Sequence, residues 1–271
     1  MNKNHHITAG TALITGASAG IGAVYADRLA RRGHDLVLVA RNKSKLDALA
    51  AKLTKEGGVK VETIEADLLS KSDLARLEKR LREDGQITLL VNNAGMSVHG
   101  SLVGGDIDQH ESMIQLNVVA VMRLAAAVAP RFAAAGAGTI INIASVLALA
   151  PELFNGVYSG TKAFVLNLTQ SLHKELGEKG VRVQAVLPGA TRTEIWEKAG
   201  VDVDSLPAGF VMDTEEMVDA ALAGLDMGEV VTIPPLPDVA DWEAFNAARL
   251  NLGPNLSKDH AADRYKVGAS A

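Results

Sequence analysis

Residues Thr15 to Gly22 read TGASAGIG and directly follow the short apolar run Ala12-Leu13-Ile14. The three glycines remove Cβ atoms that would keep the backbone away from a neighbouring group. A strand that turns at once into a helix presents backbone N–H groups and the positive end of the helix dipole, and both favour an anion. The stretch therefore indicates a phosphate-binding strand–turn–helix unit. Alone it also fits a plain structural turn, because its spacing is G-x-x-x-G-x-G and not G-x-G-x-x-G.

Composition limits the class of protein. The chain has 271 residues, of which 48% are hydrophobic and 22% charged, and one α/β domain can reach this length. The net charge is -5 with no long basic run, so we expect neither a nucleic-acid partner nor a membrane surface. Arg123, Pro130 and Arg131 interrupt the most apolar segment, 118–137, which argues against a membrane span.

Localisation and metal binding are also constrained by the sequence. There is no cysteine and no apolar signal segment at the N-terminus, so we expect a cytoplasmic protein. His110 and His173 have no partners at metal-ligand spacing, and we therefore expect no metal site.

Short apolar runs alternate with helix-sized segments along the chain. Their continuous apolar character predicts strands that are buried on both faces, and the alternation with helices predicts a parallel sheet. The sequence thus indicates a doubly wound α/β fold. Gly33 marks the end of the first helix, and Asp213 marks the start of the helix before the last strand. The predicted strands are 12–15, 36–40, 59–66, 88–92, 139–144, 181–187 and 230–233.

Further motifs follow the glycine-rich turn in a fixed order. They are Asp67, Asn92-Asn93-Ala94-Gly95, Asn117, Ser145, Tyr158-Ser159-Gly160-Thr161-Lys162, and Pro188-Gly189 with Thr193. In this order, residues 11–233 resemble the shorter, one-domain branch of the short-chain dehydrogenase/reductase family. The resemblance implies a Rossmann-like fold, a seven-stranded parallel sheet of order 3-2-1-4-5-6-7, a nicotinamide dinucleotide cofactor, and a homodimer or homotetramer. We expect one domain over 1–250 with a substrate lid at about 190–213, and a polar tail over 251–271.

Tyr158 and Lys162 stand four residues apart in a helical segment, so their side chains share one helix face. A nearby ammonium, helped by the positive nicotinamide ring of the oxidised cofactor, lowers the pKa of a phenol from about 10, which predicts that Tyr158 exchanges a proton near neutral pH. Tyr158 is then the general acid in carbonyl reduction and the base in alcohol oxidation. Ser145 ends the fifth strand, where ligands bind in such sheets, and its hydroxyl can hold the substrate oxygen.

The resemblance assigns further roles to these residues. It implies that Lys162 also binds the nicotinamide ribose and that Asn117 supports a water between Lys162 and solvent. Each residue alone also fits a structural role without catalysis. Tyr158 and Lys162 could be a surface pair, Asn117 a local polar contact in a helix, and Ser145 a cap at the end of a strand. Their joint occurrence in the family's order favours catalysis.

The cofactor shell is predicted mostly from the resemblance. Asp67 and Leu68 are expected to contact adenine, Asn93 to Gly95 to leave room beside the adenosine ribose, and Pro188 to Thr193 to hold the nicotinamide amide. The full predicted cofactor set is Gly16, Ser18, Gly20, Ile21, Gly22, Arg41, Asp67, Leu68, Asn93, Ala94, Gly95, Tyr158, Lys162, Pro188, Gly189, Thr191 and Thr193.

The end of the second strand predicts the choice of cofactor. Rossmann enzymes that select NAD place an acidic residue there, which binds the ribose 2′-hydroxyl and repels a 2′-phosphate. Here the position is Ala40, followed by Arg41, whose guanidinium can bind a phosphate through two bonds, with Ser18 nearby. We therefore expect NADP(H) to be preferred and NAD(H) to remain possible. Ala19 stands where NADP-dependent members often carry a second basic residue, which predicts a moderate preference.

These observations predict an oxidoreductase that transfers hydride between NADP(H) and a carbonyl or secondary alcohol. Leu147, Leu149, Phe154 and the lid segment, with Trp196 and Phe210, indicate a partly apolar small-molecule substrate. The alternative is a dinucleotide-binding sensor or scaffold without turnover. Small residues in the helices near 108–135 and 157–177 further predict homo-oligomerisation.

Overall fold

The computed structural model describes residues 9–98, 100, 102–193 and 205–266. These residues form two compact units that divide between Pro235 and Leu236. The first unit is built on seven parallel strands in the order β3-β2-β1-β4-β5-β6-β7. The strands are β1 Thr11–Thr15, β2 Asp35–Ala40, β3 Val61–Glu65, β4 Ile87–Asn92, β5 Gly138–Ile143, β6 Val181–Val186 and β7 Val231–Thr232.

Helices cover both faces of this sheet. They are α1 Gly20–Arg31, α2 Lys43–Gly57, α3 Lys71–Glu83, α4 Ile107–Ile114, α5 Val121–Ala135, α6 Gly156–Leu176 and α7 Thr214–Met227. A π-helical segment, Gln115–Ala120, joins α4 to α5. One core cluster packs α1, α2 and α7 against the sheet, and the other packs α3, α5 and α6 against the opposite face. In β1, Ala12 and Ile14 belong to the first cluster and Leu13 to the second.

The predicted fold class, strand order and parallel pairing are confirmed. The third strand is shorter at both ends than the predicted segment 59–66, and Gly58, in a left-handed conformation, ends α2 before it. Asp213 does precede α7, but its side chain makes no capping hydrogen bond. It lies instead 3.6 Å from the Arg192 guanidinium.

The helical run Ile107–Ala135 is long and apolar enough to cross a membrane by length and composition, with a mean hydropathy of 1.6. Half of its most apolar window is buried inside the protein. Leu124, Val128 and Phe132 pack in the same core cluster as α3 and α6. This burial is that of a core helix in a folded domain.

The second unit begins at Leu236, and its described residues, which end at Lys266, form one α-helix, α8 Val239–Asn251, and two short 3-10 turns, Gly253–Asn255 and Asp263–Tyr265. None of the residues of α8 is buried. Trp242 and Phe245 stack on its surface with ring centroids 5.7 Å apart. The predicted limit of the main domain at residue 250 and the polar tail remain predictions.

Candidate active site

The glycine-rich turn connects β1 to α1 and packs tightly against the segment after β4. Gly16 and Gly20 have φ angles of 66° and 53°, a conformation that favours glycine. A Cβ atom on Gly22 would lie 2.5 Å from Nδ2 of Asn93 and 2.5 Å from the carbonyl oxygen of Gly16. Gly16 and Gly22 are therefore required for packing against Asn93 and Ala94, in addition to any role toward a ligand.

Thr15 and Asn93 hold the two segments together. The Thr15 hydroxyl accepts hydrogen bonds from the backbone N–H groups of Asn93 (3.0 Å) and Ala94 (3.1 Å). The Asn93 Nδ2 donates to the carbonyl oxygens of Thr15 (2.9 Å) and Gly16 (3.2 Å). Adjacent strands β1 and β4 make this possible, because their carboxyl ends lie side by side.

The start of α1 fits the anionic part of a dinucleotide. The residue before it, Ala19, provides no side-chain cap, so the first N–H groups of the helix have no side-chain acceptor. Such N–H groups, with the helix dipole, form a ready anion site. Five other helices differ, because their first N–H groups are bound by side chains: Asn42 on α2, Ser70 on α3, Asp106 on α4, Asn155 on α6 and Asp238 on α8.

A cavity of about 960 Å³ opens beside the end of β3, with Arg41 and Asp67 in its lining. The Arg41 side chain is exposed and makes no hydrogen bond or ion pair with the described residues. Other cations of this cavity are already bound: Lys43 contacts Asp47 at 2.6 Å, and Arg76 donates to the Glu65 carbonyl oxygen at 2.7 Å. Arg41 is thus available for a phosphate. Leu68, also predicted to contact adenine, is buried.

Lys162 is buried and its Nζ donates a 3.0 Å hydrogen bond to the carbonyl oxygen of Ile143, at the end of β5. Burial lowers the pKa of Lys162 to about 8, because an ammonium loses hydration there. A Cβ atom on Gly95 would lie 3.7 Å from this Nζ and 3.2 Å from Oδ1 of Asn117. The fold therefore brings Gly95, Asn117 and Lys162 together.

Tyr158 lies in the first turn of α6, with the Lys162 Nζ 5.6 Å from its ring centroid. Burial raises the pKa of Tyr158 to about 12, and a hydrogen bond with Ser145 acts in the opposite direction. The predicted lowering of this pKa by Lys162 together with an oxidised nicotinamide ring remains a prediction for the cofactor-bound protein. Desolvation has the largest effect on the pKa of Tyr158. The Lys162 ammonium donates its hydrogen bond to the Ile143 carbonyl oxygen and not to the phenol.

Asn117 lies in the π-helical segment, a local geometry that is frequent at functional sites. Its Oδ1 accepts from the Met96 N–H (2.9 Å), and its Nδ2 donates to the Met96 carbonyl oxygen (2.8 Å) and the Thr161 hydroxyl (3.2 Å). The side chain thus holds the segment after β4 beside α6. The predicted role toward a water remains a prediction.

Ser145 follows β5 and is buried, and its hydroxyl accepts from the Leu147 N–H at 3.2 Å. The segment after β6 starts beside it, because the Pro188 carbonyl oxygen accepts from the Val146 N–H at 3.0 Å. Five residues later this segment reaches the glycine-rich turn, where a Cβ atom on Gly20 would lie 3.3 Å from Cγ2 of Thr193. Gly189 and Thr191 lie between these points, joined by a 3.1 Å hydrogen bond from the Thr191 hydroxyl.

Trp196, predicted to line the pocket, lies outside the described residues, as does the middle of the predicted lid. Of its described parts, Met212 packs against the core and pairs with Thr191, whereas Phe210 is exposed. Phe154 is 36% exposed, and its ring meets Tyr158 edge-on at 5.7 Å. Within the described part of the chain, no group of three or more His, Cys, Asp and Glu residues is placed to hold a metal ion.

Comparison with known proteins agrees with this geometry. Residues 10–204 match the family model described as short chain dehydrogenase. The chain belongs to the short-chain dehydrogenase/reductase family. A relative described as an uncharacterized oxidoreductase of Staphylococcus saprophyticus is 34% identical over 223 residues, which cover 82% of this chain and 93% of that protein.

Solved structures of this family are similar over nearly the whole chain. A short-chain dehydrogenase from Sphingobium yanoikuyae in complex with NADPH is 56% identical, with a TM-score of 0.92 over 95% of this chain and 100% of that one. A Comamonas testosteroni alcohol dehydrogenase, described as specific for bulky-bulky ketones, is 50% identical. Its TM-score is 0.88 over 96% of this chain and 99% of that one.

Two residues that sequence reasoning left out hold this site in place. Asn155 caps α6 and also reaches the segment after β4. Thr161 accepts from Asn117 and donates to the Tyr158 carbonyl oxygen at 2.7 Å. The position of Asn155, just before a helical segment, is an N-cap signal that could have been read from the sequence.

Proposed function

We propose that the protein is an NADP(H)-dependent oxidoreductase that interconverts a ketone or aldehyde and the matching alcohol, with Tyr158 as general acid/base. The observation that carries the proposal is the convergence of Asn117, Ser145, Tyr158 and Lys162 beside an uncapped glycine-rich helix start. A dinucleotide-binding sensor, the alternative, needs the helix start but not a buried ammonium 5.6 Å from the ring centroid of a phenol that is hydrogen-bonded to a serine hydroxyl.

The cofactor, when bound, supplies hydride in reduction and accepts it in oxidation. Ser145 is proposed to donate a hydrogen bond to the substrate oxygen, which orients the carbonyl and stabilises its developing negative charge. Tyr158 gives its phenolic proton to that oxygen in reduction and takes it back in oxidation. Its raised pKa keeps it protonated and ready to act as an acid.

Lys162 is proposed to bind the nicotinamide ribose and to favour the phenolate form when Tyr158 must act as a base. Its pKa of about 8 leaves the amine largely protonated at neutral pH, so it can donate hydrogen bonds. An oxidised nicotinamide ring held beside Tyr158 would supply a second positive charge. Both cations then oppose the desolvation that raises the pKa of Tyr158.

NADP(H) is proposed over NAD(H) because β2 ends at Ala40 and not at an acidic residue, and because the next residue, Arg41, is exposed and lines the cavity. The NADPH complex of the Sphingobium yanoikuyae relative supports this choice. Arg41 would bind the 2′-phosphate with the Ser18 hydroxyl nearby, and the uncapped start of α1 would bind the pyrophosphate.

The substrate is proposed to be a partly apolar ketone with sizeable groups on both sides of the carbonyl. Leu153 and Phe154 are exposed beside Tyr158 and offer apolar contact surface. The ketone specificity of the Comamonas testosteroni relative points to the same class.

A homodimer or homotetramer is proposed to form through α4, α5 and α6. Ile107, Ile114, Met122 and Ala126 are exposed along α4 and α5, in addition to the residues those helices bury in the core. Light scattering at micromolar concentration should therefore give a multiple of the monomer mass. A monomer mass would contradict this part of the proposal.

Activity is tested by following NADPH absorbance with a panel of aliphatic, aryl-alkyl and diaryl ketones, with the matching alcohols and NADP in the reverse direction. The proposal expects turnover with NADPH that falls by about a hundredfold or more in Tyr158→Phe, and higher kcat/KM for ketones with two large substituents. Binding of NADPH by fluorescence without turnover of any compound would favour the sensor alternative.

A further inference from the structure

Asn155 joins two parts of the candidate site with one side chain. Its Oδ1 accepts hydrogen bonds from the backbone N–H groups of Val157 (2.9 Å) and Tyr158 (3.2 Å). Its Nδ2 donates to the carbonyl oxygens of Val98 (3.4 Å) and Gly100 (2.8 Å). The first pair caps α6, and the second ties the start of that helix to the segment after β4.

The same segment is held at its other end by Asn117. Both polar backbone atoms of Met96 bond to the Asn117 amide, which also donates to Thr161. Thr161 in turn donates to the carbonyl oxygen of Tyr158. The two asparagines, Asn117 and Asn155, therefore tie Met96, Val98 and Gly100 to the turn of α6 that carries the phenol.

We propose that Asn155 is a positioning residue that sets the place of Tyr158 by clamping the segment after β4 to the start of α6. The inference rests on the proposed hydride-transfer function. Tyr158 lies in the first helical turn, where the N–H groups have no partner within the helix and the chain frays unless it is capped. Proton transfer needs the phenol held to a fraction of an ångström, and a displacement of about 1 Å can cost roughly a hundredfold in rate.

The position of the Tyr158 side chain also depends on Phe154. Its ring packs edge-on against the Tyr158 ring at 5.7 Å, and it is the chain neighbour of Asn155. Loss of the Asn155 hydrogen bonds would therefore allow two groups to move. They are the backbone of Tyr158 and the Phe154 ring that packs against its side chain.

Two variants separate clamping from simple capping. Asn155→Asp keeps a side-chain oxygen for the Val157 and Tyr158 N–H groups but cannot donate to the carbonyl oxygens of Val98 and Gly100. Asn155→Ala loses both sets of bonds. The matched control is Asp106→Ala, which removes a cap that also accepts from two backbone N–H groups, those of Asp108 and Gln109 at the start of α4.

Hydrogen exchange of the NADPH-free protein measures the clamp without turnover. Asn155→Asp should speed exchange in the peptide covering 96–100 and leave the start of α6 protected, whereas Asn155→Ala should speed exchange in both. Asp106→Ala should change neither. Unchanged exchange at 96–100 in both Asn155 variants would overturn the clamp.

Steady-state kinetics measures the positioning. Both Asn155 variants should lose roughly tenfold or more in kcat while KM for NADPH changes less than about twofold, since a displaced phenol affects the proton transfer and not the distant phosphates. The pH profile of alcohol oxidation should move to higher pH in Asn155→Ala, because the Ser145 hydrogen bond that lowers the pKa of Tyr158 depends on the ring's position.

The outcomes distinguish this inference from the function on which it rests. Wild-type protein without turnover contradicts the proposed function, and hydrogen exchange then still tests the clamp. Active wild-type enzyme with unchanged kcat in Asn155→Asp would reduce Asn155 to a helix cap and overturn the positioning role. An equal loss of kcat in Asp106→Ala would overturn it as well, because any lost cap would then have the same effect.

Discussion

The ammonium nitrogen of Lys162 lies 5.6 Å from the centroid of the Tyr158 ring and donates its hydrogen bond to the carbonyl oxygen of Ile143. The lysine is therefore oriented by the end of β5 and not by the phenol four residues away. The phenol is instead hydrogen-bonded to Ser145. The different placements of the two side chains lead to separable predictions.

Tyr158→Phe removes only the phenolic oxygen that carries the proton. We expect turnover to fall by about a hundredfold or more, the effect typical of losing a general acid. Affinity for NADPH, measured by fluorescence titration, should stay close to that of the wild type, since Lys162 and the glycine-rich turn are untouched. Retained turnover would remove Tyr158 from the mechanism.

Lys162→Met keeps the length of the side chain but removes its charge and its hydrogen bond. We expect both kcat and affinity for NADPH to fall, because the lysine is assigned to the phenol and to the ribose. Paired kinetic and fluorescence measurements check this prediction. An unchanged dissociation constant for NADPH would contradict the ribose contact while leaving the role toward Tyr158 intact.

The pH dependence of stability reports on the same buried lysine. Burial lowers the pKa of Lys162 from 10.5 to about 8, so between these values the unfolded chain binds more protons than the folded one. The free energy of unfolding must then rise with pH across this window, because the folded protein loses the unfavourable buried charge of Lys162. Below pH 8 the lysine is charged in both states, and its unfavourable contribution to stability is constant. Tyr158, whose pKa is raised to about 12, acts in the opposite direction above pH 10.

We therefore expect the free energy of unfolding of the wild type, relative to Lys162→Met, to rise between pH 7 and 10. The size should be on the order of 2 kcal/mol, since one unit of pKa corresponds to about 1.4 kcal/mol. Urea unfolding of both proteins at several pH values measures the difference, in which the other titrating groups cancel. Parallel curves would mean that Lys162 titrates as in water.

Arg41→Ala tests whether Arg41 binds the 2′-phosphate of NADP(H). Two charge-assisted bonds of roughly 1.5 kcal/mol each give a preference for NADPH over NADH on the order of a hundredfold, and the variant should lose most of it. Arg76→Ala is the control, because Arg76 lines the same cavity but is bound to Glu65 and Asp73. Equal effects of the two variants, or tighter binding of NADH by the wild type, would argue against a specific contact.

Much of the fold could be predicted because its determinants are local. Buried parallel strands read as continuous apolar runs, and the glycines that permit the turn after β1 are recognisable at once. The order of motifs then identified the family, and the family supplied the strand order.

Properties that depend on distant parts of the chain could not be predicted. The pKa of Tyr158 is set by burial, which the spacing of Tyr158 and Lys162 does not encode. The side-chain amide of Asn155 donates to the carbonyl oxygen of Gly100, 55 residues away, and only the folded chain brings these two residues together. The π-helical segment that turns Asn117 toward Met96 is likewise invisible in an apolar helical pattern.

Gly22→Ala tests whether the glycine-rich turn is shaped by its packing as well as by its ligand. The added Cβ would lie 2.5 Å from both Nδ2 of Asn93 and the carbonyl oxygen of Gly16. Neither can retreat freely, since they are hydrogen-bonded to each other at 3.2 Å and Asn93 is also bound to Thr15. We expect a loss of about 1 to 3 kcal/mol in unfolding free energy, as is typical of overpacking, before any cofactor is added.

Gly57→Ala is the matched control for this prediction. Gly57 ends α2, and a Cβ atom there would meet only ordinary contacts, the nearest at 3.5 Å from Ala30. This variant should be neutral or slightly stabilising, because alanine is the better helix former. Asn93→Ala in the Gly22→Ala background should restore only part of the loss, since the clash with the Gly16 backbone remains. Full restoration would assign the whole requirement for glycine to Asn93, and equal stability of Gly22→Ala and the wild type without NADPH would leave the cofactor as the sole reason for glycine at this position.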